Sequence, residues 1–106
     1  MPSTKKPSSA KRATPPRRVD YTKAFLKDWE RLRRSGRYDL GRLKVAMLHL
    51  IAADAPLGLE WLDHPLQGEW NGYRECHVGG DFLLIYRLVD DLLVFVRAGT
   101  HADLFE

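Results

Sequence analysis

Three short apolar runs near the C-terminus constrain the fold of this chain more than any other feature. They read YRECHV, FLLIYRLV and LLVFVRA, with the length and the β-branched and aromatic content of strands. They are separated by Gly79-Gly80 (or Gly80-Asp81, one position later) and by Asp90-Asp91. Pairs this short form two-residue hairpin turns, which join antiparallel neighbours. The C-terminal part of the chain is therefore predicted to be a three-stranded antiparallel sheet.

Two amphipathic segments precede these strands. In the first, apolar side chains recur at intervals of four, four and three residues, which predicts a helix over 22–36. Thr22 is its expected N-cap, and Gly36 is expected just after its last turn. A second helix is predicted over 39–53, capped by Asp39. With a short strand before the first helix, this order predicts an α+β domain whose two N-terminal helices pack on one face of a small, mainly antiparallel sheet of about four strands.

The segment DAPLGLEWLDHPLQGEWNG, between the second helix and the strands, has no regular apolar period. It is predicted to be an ordered loop pinned by Trp61 and Trp70. Long loops in compact domains are often functional, and this one carries His64.

Positive charge is concentrated at the N-terminus. Residues 1–18 contain six lysines and arginines and no acid, whereas residues 19–106 contain eleven basic and fourteen acidic side chains. The first segment is also rich in proline and serine, so we expect a disordered basic extension over 1–18 and one folded domain over 19–106. The extension is either a solubilising segment or an arm that strengthens binding to polyanions through counterion release.

The remaining composition narrows the class of protein. Cys76 is the single cysteine, so no internal disulfide can form, and this favours a reducing compartment. No apolar run approaches the ~20 residues of a membrane-spanning helix, and the N-terminus shows no apolar secretory signal. We therefore expect a cytoplasmic protein with one hydrophobic core.

The alternation of side chains along the strands places an acid, a histidine and an arginine on one sheet face. With two-residue turns, His77 lies opposite Phe82, and Leu84 lies opposite both Glu75 and Arg97. Glu75 and Arg97 are then two strands apart, roughly 9–10 Å, which leaves room for a small anion or a phosphodiester.

This face would also be open and unusually apolar, so that a loop, the C-terminus or a partner must cover it. Its apolar members would be Phe82, Leu84, Tyr86, Leu88, Leu93 and Phe95. The face under the helices would hold Cys76, Val78, Leu83, Ile85, Val94 and Val96.

Each of these polar residues also has a simpler interpretation. A single histidine on a strand is usually structural, and Arg97 beside Glu75 can be an ion pair worth well under ~1 kcal/mol. A zinc-binding hydrolase is a further alternative, although no HxH or HExxH spacing is present. Its ligands would be His64, His77, His101 and Asp81. The convergence of several such groups on one face favours a functional site over the structural interpretation.

The block DHPLQGEWNGYRECHVGGDFLLIYRL, followed by VFVRAGTHADLF, resembles the YafQ-like branch of the RelE/ParE superfamily of bacterial toxins. The resemblance runs from about Val19 to Phe105. It implies a RelE-like fold and a ribosome-dependent endoribonuclease, an mRNA interferase that cuts translated mRNA in the ribosomal A site. It also implies a cognate antitoxin as partner, a DNA-binding protein that autoregulates the operon. The reaction would use no metal or other cofactor and would take place in the bacterial cytoplasm.

The resemblance also assigns an active site. Its catalytic residues would be His64, His77, Asp81, Arg97 and His101. Glu75 and Phe105 would support the site and bind RNA. Glu75 departs from the family pattern, because the best-known members have aspartate there. A non-catalytic toxin of the ParE type, which acts on a protein target, would not need this set of histidines.

The residue types suit RNA cleavage without a metal. The 2′-hydroxyl attacks the adjacent phosphate, so one group must take its proton and another must protonate the leaving 5′-oxygen. Histidine can do either near neutral pH. Arg97 would bind phosphate oxygens through its planar fork, and Phe105 would offer its ring face to an unstacked base. Because the folded domain is net acidic, we expect the ribosome to present the message.

Overall fold

The computed structural model describes residues 15–52 and 57–106 and shows an α+β architecture. The elements are β1 (Arg18–Tyr21), α1 (Lys23–Ser35), α2 (Leu40–Ala52), β2 (His64–Pro65), β3 (Arg74–Gly79), β4 (Phe82–Val89), β5 (Leu92–Gly99) and α3 (His101–Phe105). Two 3₁₀ turns, Leu59–Trp61 and Gly68–Trp70, lie in the loop between α2 and β3.

The five strands form one sheet in the order β1-β5-β4-β3-β2. β1 runs parallel to β5, and all other neighbours are antiparallel. The predicted α+β class and mainly antiparallel sheet are confirmed. The prediction of about four strands is one short, because β2 consists only of His64 and Pro65. Two residues are too few to show an alternating pattern.

The helix ends follow the local rules that the sequence indicated. The Thr22 side chain accepts a hydrogen bond of 2.9 Å from the backbone N–H of Phe25, and Gly36 ends α1 in the left-handed region at φ 67°. Asp39 caps α2 by accepting from the N–H of Arg42 at 2.9 Å. Across the described ranges, no helix has the length and apolar content needed to cross a membrane.

Helices α1 and α2 cover one face of the sheet, as predicted, and form the main core with it. Its principal buried side chains are Phe25, Leu32, Leu43, Met47, Leu50, Cys76, Val78, Phe82, Leu84, Tyr86, Leu93 and Phe95. Cys76 therefore lies where predicted, and burial raises the pKa of its thiol to about 12, which fits an unreactive core residue.

The predicted faces of β4 and of part of β5 are wrong. Several apolar residues expected on the open face lie instead under the helices: Phe82, Leu84, Tyr86, Leu93 and Phe95. Conversely, Leu83, Ile85 and Val96 were expected under the helices but pack on the opposite face. Two β-bulges account for this exchange, because one extra residue in a strand turns the following side chains to the other face.

The first bulge lies at the end of β3. The β3–β4 register shifts between His77 and Gly79, so that His77 lies opposite Leu83, one position away from the predicted partner. Val78 is the extra residue, and Arg42 on α2 donates a hydrogen bond from Nε to its carbonyl. The bulge is therefore held by a helix that is distant in sequence.

The second bulge lies within β5. Tyr86 pairs with Phe95 as predicted, but the register then shifts, so that Ile85 lies opposite Arg97. Val96 is the extra residue. Because each bulge displaces the pairing by one residue, the two shifts offset each other between β3 and β5.

The face opposite the helices carries a second, smaller core. Leu83, Ile85 and Leu104 are buried there, and Trp70 and Val96 pack beside them. The loop and α3 thus cover this face. Trp61 is buried in the main core and Trp70 packs on the second, so the two tryptophans pin the loop as predicted.

The predicted basic extension lies mostly outside the described residues, but its last two arginines contact the folded part. Arg17 donates from its backbone nitrogen to the carbonyl of Ile51 at 2.8 Å and from Nη1 to that of Leu50 at 2.7 Å. Arg18 begins β1 and forms an ion pair with Asp91 at 2.9 Å. Both arginines are therefore part of the domain.

Candidate active site

Glu75 and Arg97 lie in one row across the sheet. Glu75 on β3 is opposite Ile85 on β4, and Ile85 is opposite Arg97 on β5. The predicted two-strand separation is thus retained, although Ile85 takes the middle position that was assigned to Leu84. The offsetting bulges explain why a wrong register for β4 still led to the right pairing of the outer strands.

Glu75 is a buried carboxylate between two imidazoles. It is 3% exposed, and its Oε2 atom lies 3.4 Å from Nε2 of His64 and 3.4 Å from Nε2 of His77. Strand β2 brings His64 there, because His64 is the register partner of Glu75. The two-residue strand that sequence patterning missed is therefore the element that places a predicted site residue.

The carbonyl of Leu62 orients His64. Nδ1 of His64 lies 2.7 Å from this oxygen, and because a carbonyl only accepts, Nδ1 carries the proton and Nε2 faces Glu75. Leu62 has a left-handed backbone at φ 48°, which is costly for a leucine. Strain of this kind is common where a loop positions a functional group.

Asp81 orients His101 in a similar way. Its Oδ1 atom lies 2.5 Å from Nδ1 of His101 and accepts from the backbone N–H of His101 at 3.3 Å. The side-chain hydrogen bond from His101 holds the pKa of Asp81 below its usual range. With Nδ1 engaged, Nε2 is the nitrogen of His101 that can exchange a proton with a substrate.

The predicted rings form a continuous series across the surface. Centroid distances are 6.0 Å from His64 to His77, 6.4 Å from His77 to His101 and 5.8 Å from His101 to Phe105. Phe105 ends the series with its ring edge-on to Trp70, at 5.7 Å. Side chains spread over 42 positions of sequence thus share one surface.

Arg97 has a partner that the sequence reasoning missed. Its Nε and Nη2 atoms donate to the two carboxylate oxygens of Asp28 at 2.7 and 3.1 Å, and the backbone N–H of Ala98 donates to the same carboxylate at 3.0 Å. Burial alone would raise the pKa of Asp28, but these hydrogen bonds, with one from Arg31, outweigh it and the pKa lies below the usual range.

A signal for Asp28 is present in the sequence. Phe25, Asp28 and Leu32 follow the i, i+3, i+7 spacing of a buried helix stripe, and these three are the buried residues of α1. The predicted apolar stripe, with intervals of four, four and three residues, consists of Tyr21, Phe25, Trp29 and Leu32. It omits Asp28, because an aspartate is expected to be exposed.

Comparison with known proteins identifies the family. The family model described as the bacterial toxin YafQ of a type II toxin–antitoxin system matches residues 17–106. This chain belongs to that family. The mRNA interferase toxin YafQ of Escherichia coli strain K12 is 46% identical over 89 residues, which are 84% of this chain and 96% of the relative. The predicted membership in the YafQ-like toxins of the mRNA interferase class is thereby confirmed.

Solved structures of YafQ and related toxins share the fold. A chain in the crystal structure of the Escherichia coli DinJ–YafQ complex superposes with a TM-score of 0.77 at 46% identity, covering 85% of this chain and 99% of its own length. The crystal structure of a metal-bound toxin from Helicobacter pylori gives a TM-score of 0.75 at 36% identity, with coverage of 84% and 99%.

In this YafQ-family chain, three side chains are placed to hold a metal ion. One ligand atom each from His64, Glu75 and His77 lies within 4.8 Å of the others. Two imidazoles and a carboxylate suit Zn²⁺ or Cu²⁺. The group differs from the ligand set of the zinc alternative, because Asp81 and His101 bind each other and Glu75 takes their place.

A cavity of about 430 Å³ adjoins this group. Its lining residues are Leu57, Gly58, Leu59, Leu62, Asp63, His64 and Arg74. The mixture of leucines and an arginine beside the histidines offers apolar and cationic contacts to a group bound next to the site.

Proposed function

We propose that this chain is a ribosome-dependent endoribonuclease that cleaves translated mRNA and so inhibits translation. One observation carries the proposal: three histidines lie in a continuous series, two beside a buried carboxylate and one oriented by a second carboxylate. Proton-transfer groups in series at a surface are what attack by a 2′-hydroxyl requires.

The reaction forms a bond between the 2′-oxygen and phosphorus and breaks the bond from phosphorus to the 5′-oxygen. One histidine takes the proton of the 2′-hydroxyl, and another gives a proton to the leaving 5′-oxygen. His101 is one member of this pair, because Asp81 holds its Nδ1 and leaves Nε2 for the substrate. Either His64 or His77 is the other member. Each transfer typically contributes ~10²–10⁴ in rate.

Arg97 and Phe105 bind the RNA around the scissile phosphate. Asp28 accepts from Nε and Nη2 of Arg97, and the remaining N–H groups of the guanidinium would bind phosphate oxygens and stabilise the developing charge. Phe105 is 39% exposed and lies beside His101, which allows a base to stack on its ring for typically ~1–3 kcal/mol.

The ribosome supplies affinity that the domain lacks. The folded part has more acidic than basic side chains, so free RNA would bind weakly. Because the ribosome is the proposed target, we assign the protein to the bacterial cytoplasm. Residues 1–16 would be a basic extension that adds contacts to ribosomal RNA.

The cognate antitoxin is the second partner. It would be a DNA-binding protein that autoregulates the operon. The apolar residues that a partner was one candidate to cover are buried under the helices and offer it no docking surface. The basic end of α1 remains, where a surface cavity of about 620 Å³ is lined by Leu26, Lys27, Glu30, Arg31, Arg34 and Ser35. An acidic segment with one large apolar side chain would complement it.

The test is cleavage of a translated message in a reconstituted system, with 5′ ends mapped in the presence and absence of ribosomes. We expect cuts only on the translated message, and loss of those cuts in His101→Ala. His49→Ala is the matched control, because His49 is an exposed histidine on α2, outside the series of rings. Ribosome-independent cuts, or none, would overturn the proposal; inhibition without cuts would favour the ParE-type alternative.

The His64, Glu75 and His77 group supports a second property, binding of a transition metal. The solved Helicobacter pylori relative is described as metal-bound. A metal here would occupy the nitrogens needed for proton transfer, so we propose an inhibitor of cleavage and not a cofactor. Calorimetry with Zn²⁺ and Cu²⁺ should show binding that His77→Gln removes and His49→Gln retains. Cleavage at full rate with bound metal would contradict the inhibitory role.

A further inference from the structure

Asp28 is the shared anchor of two arginines. Besides Arg97, it accepts a hydrogen bond of 2.9 Å from Nη2 of Arg31, one turn along α1. It is 4% exposed and lies where α1 crosses β5. A buried carboxylate that receives two guanidinium groups and the N–H of Ala98 can adopt few other arrangements.

Arg31 extends this network to the C-terminal helix. Its Nη1 donates to Oδ2 of Asp103 at 3.2 Å, and its Nη2 to the carbonyl of Ala98 at 3.3 Å. Asp103 closes the capping box of α3 by accepting from the backbone N–H of Thr100 at 3.0 Å. The same five-residue helix carries His101 and Phe105.

The connection is tightly packed. A Cβ atom placed on Gly99 would lie 2.8 Å from Oδ2 of Asp103 and 3.3 Å from Nη2 of Arg31. The strand end that joins Arg97 to α3 therefore lies in close contact with Asp103 and Arg31. A helix of five residues has little stability of its own, so its position depends on such contacts.

We propose that Asp28 and Arg31 are positioning residues for RNA cleavage, which set the guanidinium of Arg97 in register with His101 and Phe105. This inference rests on the proposed function. Asp28 holds one edge of the Arg97 guanidinium and thereby sets the direction of the opposite edge, which faces the substrate. Arg31 holds the helix that carries the proton-transfer and base-stacking groups. A misplacement of about 1 Å in such a set costs roughly 100-fold in rate.

The experiment compares Asp28→Asn and Asp28→Glu with Asp91→Asn. Asp91 is the matched control, because it also accepts an arginine fork, from Nε of Arg18 at 3.1 Å and Nη2 at 2.9 Å, but is exposed and lies in the turn before β5. Single-turnover cleavage is measured on ribosomes programmed with message, well below the melting temperature of every variant.

We expect both Asp28 variants to cleave about 10- to 100-fold more slowly at saturation, with the concentration for half-maximal rate changed less than threefold. Asp28→Glu keeps the charge but moves it by one methylene, so a positioning role predicts that it stays slow. Asp91→Asn should cleave like the wild type. Full activity in Asp28→Glu would overturn the proposal, since a purely electrostatic role would then suffice.

A measurement without activity separates this inference from the proposed function. The Nε–H of Arg97, held by Asp28, should give a slowly exchanging signal in ¹⁵N-edited NMR spectra, which Asp28→Asn and Arg31→Ala should lose or broaden. Arg31→Ala serves if Asp28→Asn does not fold. An inactive wild type with the signal present would refute the proposed function alone. An unchanged signal in the variants would refute the positioning role alone.

Discussion

The two buried carboxylates of this toxin, Asp28 and Glu75, are compensated by different groups. Asp28 is 4% exposed and accepts hydrogen bonds from two arginines and a backbone N–H. Glu75 is 3% exposed and faces the Nε2 atoms of His64 and His77 at 3.4 Å. We call the first the guanidinium end of the site and the second, with His101 beside His77, the imidazole end.

The two ends differ in the chemistry of their cationic side chains, which are guanidinium groups at one end and imidazoles at the other. A guanidinium stays protonated throughout the pH range in which proteins fold, so the guanidinium end keeps its charge and geometry. Imidazole is the side chain best suited to give or take a proton in a reaction near neutral pH, and the other end consists of imidazoles around a carboxylate. The guanidinium end is therefore suited to orientation and the imidazole end to proton transfer.

The largest effect is expected at the imidazole end. His101→Ala should reduce cleavage of translated mRNA by about 10²–10⁴-fold, because it removes one proton-transfer group. The fold should persist, since the His101 side chain is 54% exposed. Single-turnover cleavage and a circular dichroism melt check this. The comparison between the two ends fails if the folded variant still cuts at the wild-type rate.

At the guanidinium end, Arg97→Lys should reduce cleavage by roughly 10- to 100-fold although the charge is kept. A lysine cannot make the two-atom fork to Asp28 and at the same time present fixed donors to phosphate. The measurement is the same cleavage assay, with Arg33→Lys as control on α1. Recovery of the full rate by lysine would show that Arg97 acts only as a diffuse charge.

The two ends can also be compared by acid unfolding. Because the folded state lowers the pKa of Asp28, its contribution is present above the unfolded pKa of about 4 and is lost as pH falls through the lower, folded value. Asp28→Asn should be less stable than the wild type at pH 7 by about 1–3 kcal/mol.

This difference should shrink on acidification below about pH 4. Urea unfolding at pH 7, 5 and 3 measures it. Asp91→Asn should differ little from the wild type at all three pH values, because the Arg18–Asp91 ion pair is exposed to solvent. A constant gap between wild type and Asp28→Asn at all three pH values would contradict the assignment of Asp28 as the acid-sensitive anchor.

The smallest effect is expected outside both ends. Deleting residues 1–16 removes four of the six cations of the N-terminal segment, because Arg17 and Arg18 are bound to the domain. In a plot of the logarithm of the ribosome-binding constant against the logarithm of salt concentration, the slope should become shallower by up to about three. The cleavage rate at saturation should not change. Equal slopes would show the segment to be inert; slower saturated cleavage would place it at the active site.

The site could be predicted from the sequence to the extent that it depends on local order and residue type. Thr22, Gly36 and Asp39 mark the helix ends because capping is decided within three or four residues. The histidines, Arg97 and Phe105 were found as chemically suited groups, and the family match over residues 17–106 supports the resemblance that connected them. The shared face of Glu75 and Arg97 was also predicted, but only because two unforeseen bulges offset each other.

Other features depend on contacts between residues that are distant in sequence, and only the tertiary structure determines them. The bulge at Val78 is held by Arg42, 36 residues earlier, and without it the helices would face the other side chains of β4. Arg97 is anchored by Asp28, 69 residues earlier; the helix stripe indicates that Asp28 is buried, but it does not indicate which arginine binds it. Strand register and the compensation of a buried charge depend on which groups the folded chain brings together, so neither is encoded in a local pattern.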